Sequence, residues 1–298
     1  MVKRAAGRAL VFGGTGQIGE RLLANLLAAG WQVVAVSRKP PADRAALQWQ
    51  GGDLSGTWQP QGPFDAVFSC GPLDQFARWY AASAVQAPRV VAFGSTSVDV
   101  KQDSIEPAER DVACRLREGE ATLFSAAAAR GAAATVLRPT LVYGAGRDKT
   151  LSVIAGMAER AGWFVLPRCA HGLRQPVHVQ DLADAALQVL AHPHTAAQAY
   201  ALGGGEVLAY DEMVRRVLAA LPRRPRLLRV PTPVFRVALA AAHAVGRLQG
   251  MNAATLARMQ QPLVFDIAPA RRDFGYAPRA FLLQAAMVGA AAAGGPAQ

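Results

Sequence analysis

Cysteine is scarce in this chain of 298 residues. Cys70, Cys114 and Cys169 are its three copies, far apart, with no metal-ligand spacing and no even disulfide framework. That argues against a cysteine-stapled secreted scaffold and against a thiolate metal site, and it fits a reducing, cytoplasmic setting. No run of about eighteen uninterrupted apolar residues occurs, so no membrane-spanning helix is expected, although hydrophobic residues make up 52% of the chain. Lysine is nearly missing, since 28 of the 32 basic residues are arginine. No tyrosine lies between Tyr80 and Tyr143, and no lysine between Lys101 and Lys149. With 21 acidic residues the formal charge is +11. A positive field attracts anionic small molecules, and an arginine-preferring genome is the plain source of much of the excess. Nucleic acid is not an expected partner, because no recognition motif or interleaved aromatic and basic segment is present.

What is present starts early. The opening MVKRAAGRALVFGG is basic and then apolar, in outline like a signal peptide. Its apolar run is too short and flows straight into a glycine turn, so it reads as a first strand. Residues 9–19 read ALVFGGTGQIG, and an amphipathic helix follows from Gln17 until Gly30 closes it. Gly13, Gly16 and Gly19 thus occupy a strand-to-helix turn. Lacking Cβ atoms, they let the backbone approach a pyrophosphate whose charge meets a helix N-terminus. Dinucleotide binding is the expectation.

Strand and helix signals then alternate. Strands are expected at Gln32–Ser37, weakly before Gly51-Gly52-Asp53-Leu54, and at Phe64–Ser69, Arg89–Phe93 and Ala133–Leu137. Helices are expected at about 73–85 and 109–130. Such alternation gives an α/β fold with a Rossmann-type, doubly wound parallel sheet and ligands at the strands' carboxyl ends.

Three carboxyl-end segments line up with the turn. Ser37-Arg38-Lys39 follows the second strand, where an NAD-specific site places a carboxylate for the ribose 2′-hydroxyl. A hydroxyl and two cations there favour the 2′-phosphate of NADP over NAD. Asp53 can accept a hydrogen bond from an adenine amino group, or serve as a turn aspartate. Cys70-Gly71-Pro72 would pass under the cofactor, with Gly71 allowing close approach.

At this point the chain resembles the extended short-chain dehydrogenase/reductase superfamily, in its nucleotide-sugar epimerase/dehydratase-like branch. The matching pieces are GGTGQIG at 13–19, GDL at 52–54, FGSTSV at 93–98, LRPTLVYGAG at 137–146, RQPVHVQDLADA at 174–185 and RRDFGYAPR at 271–279. The resemblance implies a Rossmann domain over 1–145, completed by about 175–202, and a smaller C-terminal substrate lobe formed by 146–174 and 203–298. It also implies cofactor contacts at Thr15, Gln17, Ile18, Leu54 and Pro139 beside the residues above. The family's carbonyl-polarising hydroxyl falls on Ser95, and its helical acid on Glu120. Ser97, Arg147, Lys149, Arg174 and His178 are the candidate substrate contacts, with the arginine near Arg174 meeting a nucleotide-sugar phosphate in the family.

The family's catalytic Tyr and Lys are missing. Counting back from Glu120, their positions hold Val112 and Leu116, neither of which can donate a proton. Cys114 and Arg115 flank them without strong reason to protonate an alkoxide. Tyr143 is the candidate substitute, with packing as the competing role. His178 is expected as a buried imidazole, and Asp181 as the N-cap of the helix LADAALQVL. Two functions follow: an NAD(P)-dependent oxidoreductase or epimerase-type enzyme on a nucleotide-linked or phosphorylated small molecule, with a non-standard proton donor, or a catalytically silent NADP(H)-binding scaffold or redox sensor. A homodimer is compatible with either.

One segment stays outside this scheme. Arg223, Arg224, Arg226 and Arg229 precede PTPVFRVALAAAHAVGRLQG, where Arg236, His243 and Arg247 share one helical face. The favoured reading is a lobe helix with one wet stripe, and the other is a helix lying on an anionic membrane surface. A further apolar helix is expected near 281–288, followed by a frayed Ala/Gly-rich tail.

Overall fold

The structure, a computed structural model, describes residues 7–55, 58–244, 246 and 253–288. Arg247 and the tail after Val288 lie outside them. The chain forms two compact units, one within Met1–Pro139, Val179–Leu202 and Asp266–Ala277, the other within Thr140–His178, Gly203–Phe265 and Pro278–Gln298.

The first unit begins with β1 (Arg8–Phe12), α1 (Gln17–Ala28), β2 (Gln32–Ser37), β3 (Leu47–Gly51), β4 (Ala66–Ser69) and α2 (Leu73–Ala82). It continues through β5 (Arg89–Phe93), α3 (Ser97–Val100), α4 (Pro107–Ala128) and β6 (Ala133–Pro139). The chain then builds β7 (Val142–Tyr143), α5 (Leu151–Ala161), β8 (Trp163–Pro167), β9 (Leu173–Arg174) and β10 (Val177–His178) in the second unit. It returns to the first for α6 (Val179–Gln188) and β11 (Gln198–Leu202). The second unit resumes with β12 (Leu208–Ala209), α7 (Tyr210–Ala220), β13 (Arg226–Val230), α8 (Thr232–Ala244) and α9 (Ala253–Arg258). Last come α10 (Ala268–Phe274) in the first unit and the single turn α11 (Ala285–Val288) in the second.

Seven parallel strands form the first unit's sheet in the order β11-β6-β5-β4-β1-β2-β3. The order reverses direction beside β1, which makes the end of that strand a topological switch point. Central strands are apolar throughout, as Leu10, Val11, Val67, Val90 and Ala92 show by full burial. That is the composition of strands covered on both faces. An aromatic group closes one side: Phe12 stands 4.4 Å from the Trp79 ring, and Trp58 lies edge-on to Phe12 at 5.9 Å.

Residues 268–274 belong with this first unit, whereas the sequence reading put them in the lobe. Tyr200 on β11 explains the difference, because its hydroxyl donates to Asp273 at 2.9 Å and its ring packs edge-on against Phe274. The second unit has its own core, built from α5, α7 and β8 around Leu151, Leu166, Met213 and Val217. Its strands are short pairs, β7 with β10, β9 with β12 and β8 with β13. The expected helix over 281–288 shrinks to α11, and Phe281 is instead a buried anchor ahead of it, 4.9 Å edge-on from Tyr143.

Candidate functional site

The carboxyl end of the parallel sheet gathers most of the expected cofactor residues. Gly13 leaves β1 with φ +72°, and a Cβ placed there would come within 2.9 Å of the Cys70 carbonyl carbon. Gly16 closes the turn by donating its N–H to the Gly13 carbonyl at 2.9 Å. It then serves as the N-cap of α1 with no side-chain cap. The first N–H groups of that helix, those of Gln17, Ile18 and Gly19, therefore have no side-chain acceptor at the cap and carry the partial positive charge of a helix start. Thr15 is exposed on the same turn. Two buried polar atoms at this end, Gln17 Oε1 and Ser69 Oγ, have no hydrogen-bond partner. A backbone cradle, an uncapped helix start and unused polar atoms together fit the pyrophosphate of a dinucleotide.

Neighbouring strand ends are stitched to this turn. The Cys70 N–H donates to Phe12 O at 2.9 Å, and that of Gly52 to Ser37 O at 3.1 Å. Leu54 sits beside Gly71, and Pro72 caps α2 in an extended conformation. Desolvation pushes the thiol of the partly buried Cys70 up to about 12, so it stays protonated at neutral pH. Arg38 and Lys39 are exposed, while the Ser37 hydroxyl donates to Lys39 O at 3.1 Å and accepts from its N–H. Asp53 accepts from the N–H and hydroxyl of Ser55 at 3.0 and 2.9 Å, which is the geometry of the turn role. Sequence reasoning missed Trp49 of β3, whose ring lies against Gly14 of the turn. A weak strand with one aromatic gave it no distinguishing signal.

Ser95 follows β5. Its Oγ accepts the N–H of Ser97 at 3.1 Å, which leaves the hydroxyl proton free to donate outward. The loop is fixed by Thr96, whose N–H and hydroxyl both donate to Pro139 O, at 3.3 and 3.2 Å. Behind it, Arg138 of β6 binds the buried Glu120 of α4 through both carboxylate oxygens, with Nε to Oε1 at 2.7 Å. Arg138 also reaches Asp99 of α3 at 3.6 Å, and Glu120 holds its guanidinium more firmly protonated than usual. One cation thus ties α3, α4 and β6 together. Neither Val112 nor Leu116 of α4 brings a polar group, and Leu116 leans on the first unit's core. Arg115 is committed to Asp111 at 2.9 Å, and Cys114 is exposed with its pKa raised by Glu118.

In the second unit the expected residues divide. Tyr143 is 1% exposed, its hydroxyl donates to Ala280 O at 3.4 Å, and its ring meets His178 edge-on at 5.1 Å. That burial fits the packing role set beside the catalytic one above. His178 is buried, wedged against Gly144, where a Cβ would stand 2.4 Å from the imidazole. Arg174 is buried too, its guanidinium donating to the carbonyls of Leu173 at 2.7 Å and Gln261 at 2.9 Å and lying 5.0 Å from the Tyr210 ring centre. Burial lowers its pKa, and its guanidinium holds these backbone carbonyls. Arg147 and Lys149 are exposed. Between them Asp148, which the sequence reading passed over, is buried and accepts from Thr150 N at 2.9 Å and Ser152 Oγ at 2.6 Å, starting α5. An aspartate three residues ahead of the apolar-periodic run that opens at Leu151 was the available signal. Asp181 is not an N-cap. It lies inside the first turn of α6, buried. Among the described residues no group of acidic, histidine or cysteine side chains is placed to hold a metal.

The family model described as "NAD dependent epimerase/dehydratase family" matches residues 9–71 and 76–203. Among curated relatives, the chain is 31% identical over 85 residues to "NADH dehydrogenase [ubiquinone] 1 alpha subcomplex subunit 9, mitochondrial" of Dictyostelium discoideum, covering 28% of this chain and 23% of that protein. It is 24% identical over 170 residues to "UDP-glucose 4-epimerase" of Vibrio cholerae, covering 57% of this chain and 49% of that one. The chain thus spans about a quarter and about a half of the lengths of these relatives. Among solved structures, "MoeE5 in complex with UDP-glucose and NAD" aligns over 93% of this chain and 95% of its own at a TM-score of 0.68 and 19% identity. At that identity the likeness bears on the fold.

Proposed function

The chain belongs to the NAD dependent epimerase/dehydratase family, and from that premise we propose that it is an NAD(P)-dependent oxidoreductase or epimerase-type enzyme. Its proposed substrate is a nucleotide-linked or phosphorylated small molecule. The observation that carries this reading is the uncapped start of α1 beneath the Gly13–Gly19 turn. Gly13, Thr15, Gly16, Gln17, Ile18 and Gly19 would hold the pyrophosphate. Leu54, Cys70, Gly71, Pro72 and Pro139 would line the rest of the dinucleotide.

Nicotinamide, when bound, supplies a hydride acceptor or donor. Ser95 is proposed to hold the substrate oxygen, since an Oγ that already accepts from Ser97 is a polarised donor. Ser97 would support it, and exposed Arg147 and Lys149 would meet anionic groups of the substrate. With Val112 and Leu116 in the helix, α4 offers no proton at its usual place, so solvent water is the proposed proton carrier. Arg38 and Lys39 favour NADP, because no carboxylate ends β2 to meet a ribose 2′-hydroxyl.

The same pair of hydrocarbon side chains supports a second reading, a dinucleotide-binding protein that does not turn its cofactor over. The test is an absorbance screen at the nicotinamide band with NAD or NADP and nucleotide sugars such as UDP-glucose, run on the wild type and on Ser95→Ala. Turnover in the wild type that Ser95→Ala loses, with dinucleotide binding intact in both, supports the enzyme. Binding without turnover in both supports the silent protein.

A further inference from the structure

α8 is apolar on the wrong side. Phe235 is buried and Leu239 partly buried, both against the second unit's core, as an amphipathic helix requires. Yet Val234, Val237, Ala238 and Ala241, at i, i+3, i+4 and i+7, are exposed as a second apolar stripe, with Val237 at 71%. Of the wet stripe expected from sequence, Arg236 has a described side chain and is exposed, whereas Arg247 lies outside the described residues and so does the side chain of His243. Apolar side chains are exposed on β8 and β13 as well. There the parallel register sets Trp163, half-exposed at 50%, beside Arg226, and Val165 beside the exposed Leu228.

The segment that builds α8 and β13 carries charge of one sign. Residues 213–265 contain nine arginines and no Asp or Glu. Arg223, Arg224, Arg226 and Arg236 are exposed, and none has an ion-pair partner among the described residues, in contrast to Arg215, Arg216 and Arg229, which pair with Glu212, Glu206 and Asp211. Exposed valine and leucine, a tryptophan at the margin and uncompensated arginines are the elements of a helix that lies in a lipid interface. A second copy of the chain is the other candidate occupant. A two-fold interface would bring this patch against itself and set the arginines of one protomer against those of its partner, with no acidic residue in 213–265 to answer them. The α8 helix, 13 residues long, is too short to span a bilayer.

We propose that the α8–β13 face, with its Val234/Val237 stripe and the arginines at 223, 224, 226 and 236, docks on an anionic membrane surface. The experiment is co-sedimentation of the full chain with phosphatidylcholine vesicles, with and without about 30% phosphatidylglycerol, at low and high salt. Binding to the anionic vesicles alone, released by salt, is expected. Val237→Asp, an exposed change that leaves the core untouched, should lower binding about tenfold, and Arg223→Gln with Arg224→Gln should lower it by at least about tenfold. Arg21→Gln on α1, equally exposed but in the other unit, should leave binding unchanged. The proposal is overturned by failure to sediment at low salt, or by equal binding to neutral vesicles. It is overturned as well if Val237→Asp has no effect, or if Arg21→Gln weakens binding as much as the loop arginines do. A lipid-free dimer that Val237→Asp dissolves would assign the face to a second copy instead.

Discussion

A β-carbon on Gly19 would stand 2.1 Å from the carbonyl oxygen of Gly13. Both atoms belong to backbone, so neither can swing aside, and the turn over α1 exists only while residue 19 is glycine. Gly19→Ala should therefore open the turn, costing about 1–3 kcal/mol of stability and lowering dinucleotide affinity far more than the stability loss implies. Isothermal titration against a denaturation curve separates the two effects.

Arg138 and Glu120 make the second prediction. The carboxylate is buried and the guanidinium mostly so, and removing one partner strands the other. Glu120→Leu should destabilise the first unit by about 3 kcal/mol, read by denaturant unfolding. Replacing both, as Arg138→Met with Glu120→Leu, should recover much of that loss, and a double-mutant cycle measures the coupling.

Acid should act through Arg216. It pairs with Glu206 and Glu212 at 2.7 Å each, and these contacts hold both carboxylates below their ordinary value of 4.5. A depressed folded-state pKa contributes stability that is present above 4.5 and lost as pH falls through the lower folded value. Both side chains are about one-quarter exposed, so solvent screening keeps the effect small. Arg216→Met should flatten the pH dependence of stability on the acid side of 4.5 and leave neutral-pH activity intact. Denaturant curves collected across that range check it.

Thiol chemistry offers a fourth handle. With its pKa pushed up to about 12, Cys70 should resist iodoacetamide at pH 8 in the native protein and react on unfolding. Mass mapping of the labelled peptides reads this directly.

The first unit was legible in sequence where one local signal decided the outcome. The β1 turn, β5 and α4 follow from an apolar run ending in glycine, from RVVAF, and from a long helical stretch, and their ends fall within a few residues of expectation. The second unit was less legible because its strands β7, β9, β10 and β12 are two residues long, too short to show a period. Asp181 looked like a cap because it precedes LADAALQVL, yet α6 already starts at Val179. Arg174 looked like a phosphate ligand by its motif, but its burial against Tyr210 appears only in three dimensions. For α8, hydropathy identified the helix and could not say which of two apolar stripes faces inward.

The proposed non-standard proton route is probed at α4. Val112→Tyr with Leu116→Lys would place a proton donor and a cation there. If the hydrocarbon pair limits turnover, the double variant should exceed the wild type by about a hundredfold in any detectable nicotinamide reaction. Because Leu116 leans on the core, the lysine should also cost some stability.

The most direct measurement is fluorescence titration of the wild type and of Gly19→Ala with NADPH and NADH. Saturable binding to the wild type, tighter for NADPH and lost in a Gly19→Ala protein that remains folded by circular dichroism, is the predicted result. No binding of either dinucleotide to folded wild type would contradict the account.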